Sequence, residues 1–411
     1  MIRKQLRDKI DDIEVRLNLK QLELNALLEV TQAINANISA DSLFKIYHFT
    51  LLGNLNISKL ALFVFDEQWE CKVQYGVPEK LEASFLSPEM LLTSEISETA
   101  NFCGCSSFDV LIPIAHNRKQ LAFVLVGGIH QLEMEEVGSI LSFVQTITSI
   151  IIVAIENKKL ARRQLQQEVL RKELEIAGKV QNNLFPRTLP DTDRVKIKAC
   201  YFPHRLVGGD YYDYLELEPG KFIVCIADVS GKGIPAALLM SSVQAGLKTL
   251  VRRSTDLKDI INELNYLVKS NAQGERFITF FLALVDLNKG QLSYVNAGHN
   301  PPFLLSGGNL HTLSVGTTIL GAFDMLPFIE ESIIPFSGKA LLFAYTDGFT
   351  ETENEEDEAF GEERLEACLK EFSLEKGNTE DLHKTLLTNV STFKGTRSFP
   401  DDVTFLSCLF G

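Results

Sequence analysis

The stretch Lys221-Phe-Ile-Val-Cys-Ile-Ala-Asp228-Val-Ser-Gly-Lys-Gly-Ile-Pro-Ala-Ala-Leu-Leu-Met240 reads as a buried apolar strand that ends abruptly in a carboxylate, followed by a glycine-rich turn and a helix whose second residue is proline. The pattern repeats downstream, where Ala340-Leu-Leu-Phe-Ala-Tyr-Thr-Asp347 also runs from apolar strand to aspartate. Two further acidic points belong with these. Gly208-Gly-Asp210-Tyr-Tyr-Asp213 sets Asp210 behind two glycines that allow close backbone approach, and Pro400-Asp401-Asp402-Val-Thr-Phe-Leu-Ser-Cys-Leu-Phe410 opens a strand with two carboxylates. A carboxylate at the end of a core strand carries a desolvation cost of several kcal/mol unless it is paired or bound to a cation. Asp228 alone could serve as a turn or helix-capping residue. Four such positions without His or Cys among them suit Mg²⁺ or Mn²⁺, hard ions that take oxygen ligands.

Between about Val195 and Gly411, Gly-bounded apolar strands alternate with helical patterns, the layout of packed sheets with helical outer layers. Upstream, Leu27 to Gln131 holds short strands, Lys59-Leu-Ala-Leu-Phe-Val-Phe65, Val110-Leu-Ile-Pro-Ile-Ala115 and Leu121-Ala-Phe-Val-Leu-Val-Gly-Gly128, which predict an antiparallel sheet flanked by helices. Before it, Leu6, Ile10, Ile13, Leu17 and Leu24 among charges predict an exposed amphipathic helix. The divisions expected are a helix over 1–26, a sensor-like domain over 27–156, a helical linker over 157–186 and a second domain over 187–411.

Val137 to Ile155 carries no charge and has the length of a membrane span. Ser139, Ser142, Thr146 and Ser149 recur at steps of three and four, opposite Ile140, Val144, Ile147, Ile151 and Ala154, so the expectation is an amphipathic helix with a seam and no membrane. The apolar repeat continues through Ala161 and Leu165, then shifts phase to Leu170, Leu174, Ala177 and Leu184, and Pro186 and Pro190 are expected to end the helix. A coiled-coil linker and a parallel homodimer follow from that seam, and a register break between two domains is a place for a switch.

Composition sets outer limits. The 411 residues are 45% hydrophobic and 23% charged, as in ordinary folded proteins of two or three domains. The net charge of −14 opposes nonspecific nucleic-acid binding. Seven scattered cysteines without a Cys-x-x-Cys pair and a charged start without an apolar signal segment predict a reducing, cytoplasmic setting. Cys103 and Cys105 read either as a thiol or metal sensor or as two ordinary loop cysteines.

Two resemblances sharpen this. The N-terminal pattern, with the helix Leu27-Leu-Glu-Val-Thr-Gln-Ala-Ile-Asn35 and the late paired strands, resembles a GAF domain, a module that senses a small molecule or a protein, without the Asn-Lys-x-x-x-Phe run of its cyclic-nucleotide binders. The segments Gly208–Asp213, Ala227-Asp-Val-Ser-Gly-Lys-Gly-Ile-Pro-Ala-Ala237, Asn296-Ala-Gly-His-Asn-Pro-Pro302, Tyr345-Thr-Asp-Gly-Phe-Thr-Glu351 and Asp401-Asp-Val-Thr404 resemble the protein phosphatase 2C-like enzymes of the bacterial SpoIIE and RsbU type, in the PPM superfamily. Glu173 to Pro186 resembles the helical lead-in of that family.

The second resemblance implies an α+β chain whose second domain is an αββα sandwich. It implies a protein serine/threonine phosphatase using two Mn²⁺ or Mg²⁺ ions, with Asp228 bridging them and the Val229 carbonyl, Asp210, Asp347 and Asp401 completing the shell. Asp402 stays open as an alternative to Asp401. The implied chemistry is direct attack of metal-bound hydroxide on phosphorus, without a phosphoenzyme. Ser230 stands where eukaryotic relatives carry a candidate acid His, Arg205 stands at the offset of a phosphate-holding Arg, and His299 reads as a turn residue. The implied substrate is a phosphorylated STAS-type anti-sigma-factor antagonist. Against these stand a phosphatase-like scaffold without turnover, an aspartyl-phosphate enzyme, which leaves the Gly-Gly-Asp and Asp-Asp pairs unexplained, and a Walker loop, which Ile226 and Gly233 exclude. The acidic run Glu351 to Glu363 reads as a solvated loop or as a rim selecting basic partners.

Overall fold

The computed structural model describes residues 2–55, 57–102, 107–129 and 134–411, with backbone only at 2–16, 18, 19, 54, 134 and 135. Cys103 and Cys105 therefore lie outside the described residues. The chain divides into two compact units, one ending at Gln167 and the other starting at Glu168.

In the first unit, helix α1 (Ile2–Asn35) runs unbroken past position 26, and Ala26 and Val30 already belong to the core. Helix α2 (Ala40–Asn54) starts at Ser39, whose hydroxyl accepts the N–H of Ser42 at 3.1 Å. The sheet is antiparallel. Strands β1 (Lys59–Asp66), β2 (Gln68–Tyr75), β3 (Ser97–Glu98), β4 (Val110–His116) and β5 (Lys119–Gly127) lie in the order β2-β1-β5-β4-β3, with a short helix α3 (Pro88–Leu91) between β2 and β3.

Strand alternation sends Leu60, Leu62 and Val64 to one face and Ala61 and Phe63 to the other. The first face packs against α1, α2 and the early part of helix α4 (Met134–Asn182). The second is covered by Leu81, Leu86, Met90 and Phe108 from the long connection beyond β2.

Helix α4 is apolar enough over its first part to cross a bilayer by length and composition. Ile140, Val144, Ile147 and Ile151 are buried against the unit's own sheet, while Ser142 and Thr146 face solvent. The seam expected to meet a second chain is therefore filled from within, because the sheet offers those side chains a closer apolar surface. Past Lys159 the helix instead exposes Leu160, Leu165, Val169, Leu170, Ile176 and Val180. It ends at Asn182, one turn before Pro186. The boundary expected at 156 falls inside this one helix.

The second unit contains two sheets. One holds β7 (Tyr211–Glu218), β8 (Lys221–Val229), β9 (Ile278–Asp286), β10 (Gln291–Ala297) and β13 (Gly316–Thr317) in the order β13-β10-β9-β8-β7, with β14 (Ser332–Pro335) also on β10. The other holds β6 (Val195–Phe202), β11 (Phe303–Ser306), β12 (Asn309–Thr312), β15 (Ala340–Tyr345) and β16 (Val403–Phe410) in the order β12-β11-β15-β16-β6. All pairings are antiparallel except β10 with β13.

The sheets face each other through Val224, Ile226, Phe281 and Ala283 on one side and Leu342, Ala344, Leu406 and Cys408 on the other. Helices α5 (Ile234–Val251) and α6 (Leu257–Ala272) cover the outside of the first sheet. Helices α7 (Asp347–Thr350), α8 (Gly361–Lys370) and α9 (Thr379–Lys394) cover the second. The result is the four-layer αββα sandwich expected from the sequence. Strands β8 and β15 are covered on both faces, which is why their sequences run apolar without alternation.

Candidate metal centre at the strand ends

Asp210 stands immediately before β7, Asp228 at the last position but one of β8, Asp347 at the start of α7 just past β15, and Asp401 just before β16, so both sheets contribute. The Gly-Gly pair lets the first of these approach. A Cβ on Gly208 would lie 2.3 Å from both Asp402 Oδ2 and the Tyr201 hydroxyl, and one on Gly209 would lie 3.0 Å from the Val229 carbonyl oxygen. Only glycine lets this loop lie against the end of β8.

Asp210 is 1% exposed, and its Oδ2 accepts the hydroxyls of Thr346 at 2.8 Å and Thr404 at 2.5 Å. Neither threonine stands out in the sequence, although Thr346 adjoins Asp347 and Thr404 lies two residues beyond Asp402. Burial, the Asp228 charge and Asp402 together hold the Asp210 carboxyl well above the usual range. Asp228 is pushed up to about 7, first by burial and then by the Asp347 charge, with Asp210 acting in the opposite direction. Asp347 is raised by burial, Glu351 and Asp401.

Asp401 and Asp402 are put to different uses. Asp402 turns inward: Oδ1 accepts the N–H of His204 and Oδ2 the N–H of Gly209, both at 2.7 Å. Asp401 turns toward the other carboxylates and meets Lys232, whose Nζ lies 2.9 Å from Asp401 Oδ2 and donates to the Pro400 carbonyl at 2.7 Å. Among the described residues no Lys, Arg or His lies within 4 Å of the carboxylates of Asp210, Asp228 or Asp347. Three partly or fully buried carboxylates, each raised by burial and by a neighbouring acidic group, with one ammonium beside a fourth, form a hard oxygen donor set short of positive charge. As they stand, no three acidic, imidazole or thiol side chains among the described residues are drawn to one ligating point.

Arg205 is exposed, with Nη1 3.8 Å from where a Gly233 Cβ would sit, and it contacts none of the four carboxylates. Ser230 is tied to the neighbouring strand: its Oγ accepts the N–H of Phe277 at 2.9 Å, and Arg276 holds its carbonyl at 2.6 Å. His299 closes a turn with Asn296, whose Oδ1 accepts its N–H at 2.7 Å, and pairs through Nδ1 with Thr279 at 2.8 Å. Part of the acidic run is bound within the domain, since Arg397 bridges Glu353 at 3.0 Å and Asp357 at 2.6 Å.

This sandwich, with aspartates at its strand ends, has the fold of PP2C domains. Residues 218–410 match the family model described as Stage II sporulation protein E (SpoIIE). Protein IcfG of Synechocystis sp. is 29% identical over 279 residues, covering 61% of this chain and 43% of that protein. Phosphoserine phosphatase RsbU of Bacillus subtilis is 31% identical over 198 residues, covering 47% of this chain and 57% of RsbU. Among solved structures, the SiaA-PP2C domain of Pseudomonas aeruginosa shares the fold, with a TM-score of 0.53 and 22% identity over 60% of this chain and 99% of that one. The chain spans about half the length of the curated relatives it matches.

Proposed function

We propose that the second unit is a metal-dependent protein serine/threonine phosphatase, regulated by the first. The observation that carries this is the gathering of Asp210, Asp228 and Asp347, short of counter-charge, at the ends of strands from both sheets. Asp210, Asp228, the Val229 carbonyl, Asp347 and Asp401 would hold two Mn²⁺ or Mg²⁺ ions. A bound pair supplies Lewis-acid chemistry that makes water nucleophilic near neutral pH and neutralises phosphoryl oxygens.

The chain's own residues do the rest. Thr346 and Thr404 fix the direction of the Asp210 carboxylate, Asp402 fixes the loop before it, and Lys232 balances Asp401 until a cation replaces it. Arg205, exposed near the 231–233 turn, would meet a substrate phosphate.

The substrate class follows RsbU, a named phosphoserine phosphatase, and a phosphorylated STAS-type antagonist is the particular substrate proposed. The antiparallel sheet of residues 59–127 with helices on one face supports a GAF-like sensor over 27–156, linked by 157–186 to a phosphatase domain over 187–411. The uncovered apolar residues beyond Lys159 support a homodimer joined along that helix, and a cytoplasmic setting is proposed from the scattered cysteines without a Cys-x-x-Cys pair.

The test is hydrolysis of a phosphoserine protein by the full chain with Mn²⁺, lost in Asp228→Asn and with chelator. The alternative is a phosphatase-like scaffold without turnover. It predicts equal, absent hydrolysis for the wild type and the variant.

A further inference from the structure

Gln181 is the last residue but one of α4 and only 6% exposed, so its amide must find partners inside the protein. Both ends go to one residue. Nε2 donates to the Gly208 carbonyl at 2.7 Å and Oε1 accepts the Gly208 N–H at 3.2 Å, pairing the backbone as a strand neighbour would. One turn earlier on the same face lies Gly178, where a Cβ would come within 2.3 Å of the Leu206 carbonyl oxygen. The final turn of the helix is thus seated on 206–208, and the next residues are Gly209, held by Asp402, and Asp210.

We propose that Gln181 is a positioning residue for the cation site: by fixing Gly208 it sets how Asp210 is presented, so that a displaced or rotated final turn of α4 lowers cation affinity. This rests on the reading of Asp210 and Asp228 as cation ligands. Two hydrogen bonds of ordinary net strength make the expected effect about tenfold or more in affinity.

The experiment is calorimetric titration of the full chain with MnCl₂, for the wild type, Gln181→Met, Gly178→Ala and Asp228→Asn, alongside thermal unfolding without cation. Gln181→Met removes the amide at constant length, and Gly178→Ala pushes the helix off Leu206 while leaving the amide in place. Both are expected to bind Mn²⁺ about tenfold or more weakly while still unfolding in a cooperative transition. Wild-type affinity in both variants would overturn the inference and leave the cation site standing. Equal binding by wild type and Asp228→Asn would overturn the cation site itself, and this inference with it.

Discussion

The carboxylate of Asp402 accepts the Gly209 N–H at 2.7 Å, while its neighbour Asp401 points the other way, to Lys232 at 2.9 Å. One of the two adjacent aspartates closes a loop and the other pairs with an ammonium, so the proposed cation ligand of the two is Asp401. Asp402→Ala strands two backbone N–H groups and is expected to cost about 2–4 kcal/mol of stability. Asp401→Ala is expected to change stability by less than about 1 kcal/mol, its pair being half exposed, and to weaken Mn²⁺ binding about tenfold. Thermal unfolding and Mn²⁺ titration of both variants check this, and the reverse pattern would exchange the two roles.

Asp228 links charge to stability. Its folded pKa of about 7 lies above the unfolded value of about 3.9, so its contribution is favourable below pH ~4 and is lost as pH rises through 7. Without cation, Asp228→Asn should therefore unfold at a higher temperature than the wild type at pH 8, with the gap closing toward pH 4. The rise in midpoint that Mn²⁺ gives the wild type should vanish in the variant. A less stable variant at pH 8 would contradict the repulsion inferred at the strand ends.

If Asp401 is a cation ligand, as proposed, Lys232 would compete with the cation for it. A half-exposed pair contributes up to about 1 kcal/mol, so Lys232→Met should tighten Mn²⁺ binding by up to about fivefold. Weaker binding in the variant would mean that the ammonium supports the site instead of competing for it.

His383 gives an acid-side dependence. Burial pushes its pKa down to about 3, and its Nε2 shares a 2.8 Å hydrogen bond with Ser407. The unfolded chain takes up the proton near pH 6.5, so stability is lost as pH falls from about 6.5 toward 3. His383→Gln should flatten the dependence between pH 6 and 4 by about 1.4 kcal/mol per pH unit. Chemical denaturation across that range measures it, and an unchanged slope would show that the imidazole is not buried neutral. His299, pushed down to about 4, should preserve part of the slope.

Much of the second unit was legible because its signal is local. Runs such as 221–228 and 340–347 carry strand, burial and terminal carboxylate in eight residues each, and covering on both faces leaves no alternation to misread. Other features depended on partners distant in the chain. Nothing near Asp401 shows that Lys232 will meet it, and the choice between Asp401 and Asp402 is made by the N–H groups of His204 and Gly209, nearly two hundred residues away. Gln181 sits in a quoted helical motif, yet its role depends on Gly208. The helix seam misled for a related reason: periodicity marks an apolar face but not what covers it, and Val144 and Ile147 found the sheet of their own unit.

The Lys232 ammonium amounts to a counter-ion tethered to the chain. On the proposed reading, a chain that has met no metal would still set Asp401 against a positive charge of its own, so that folding would not have to wait for the metal.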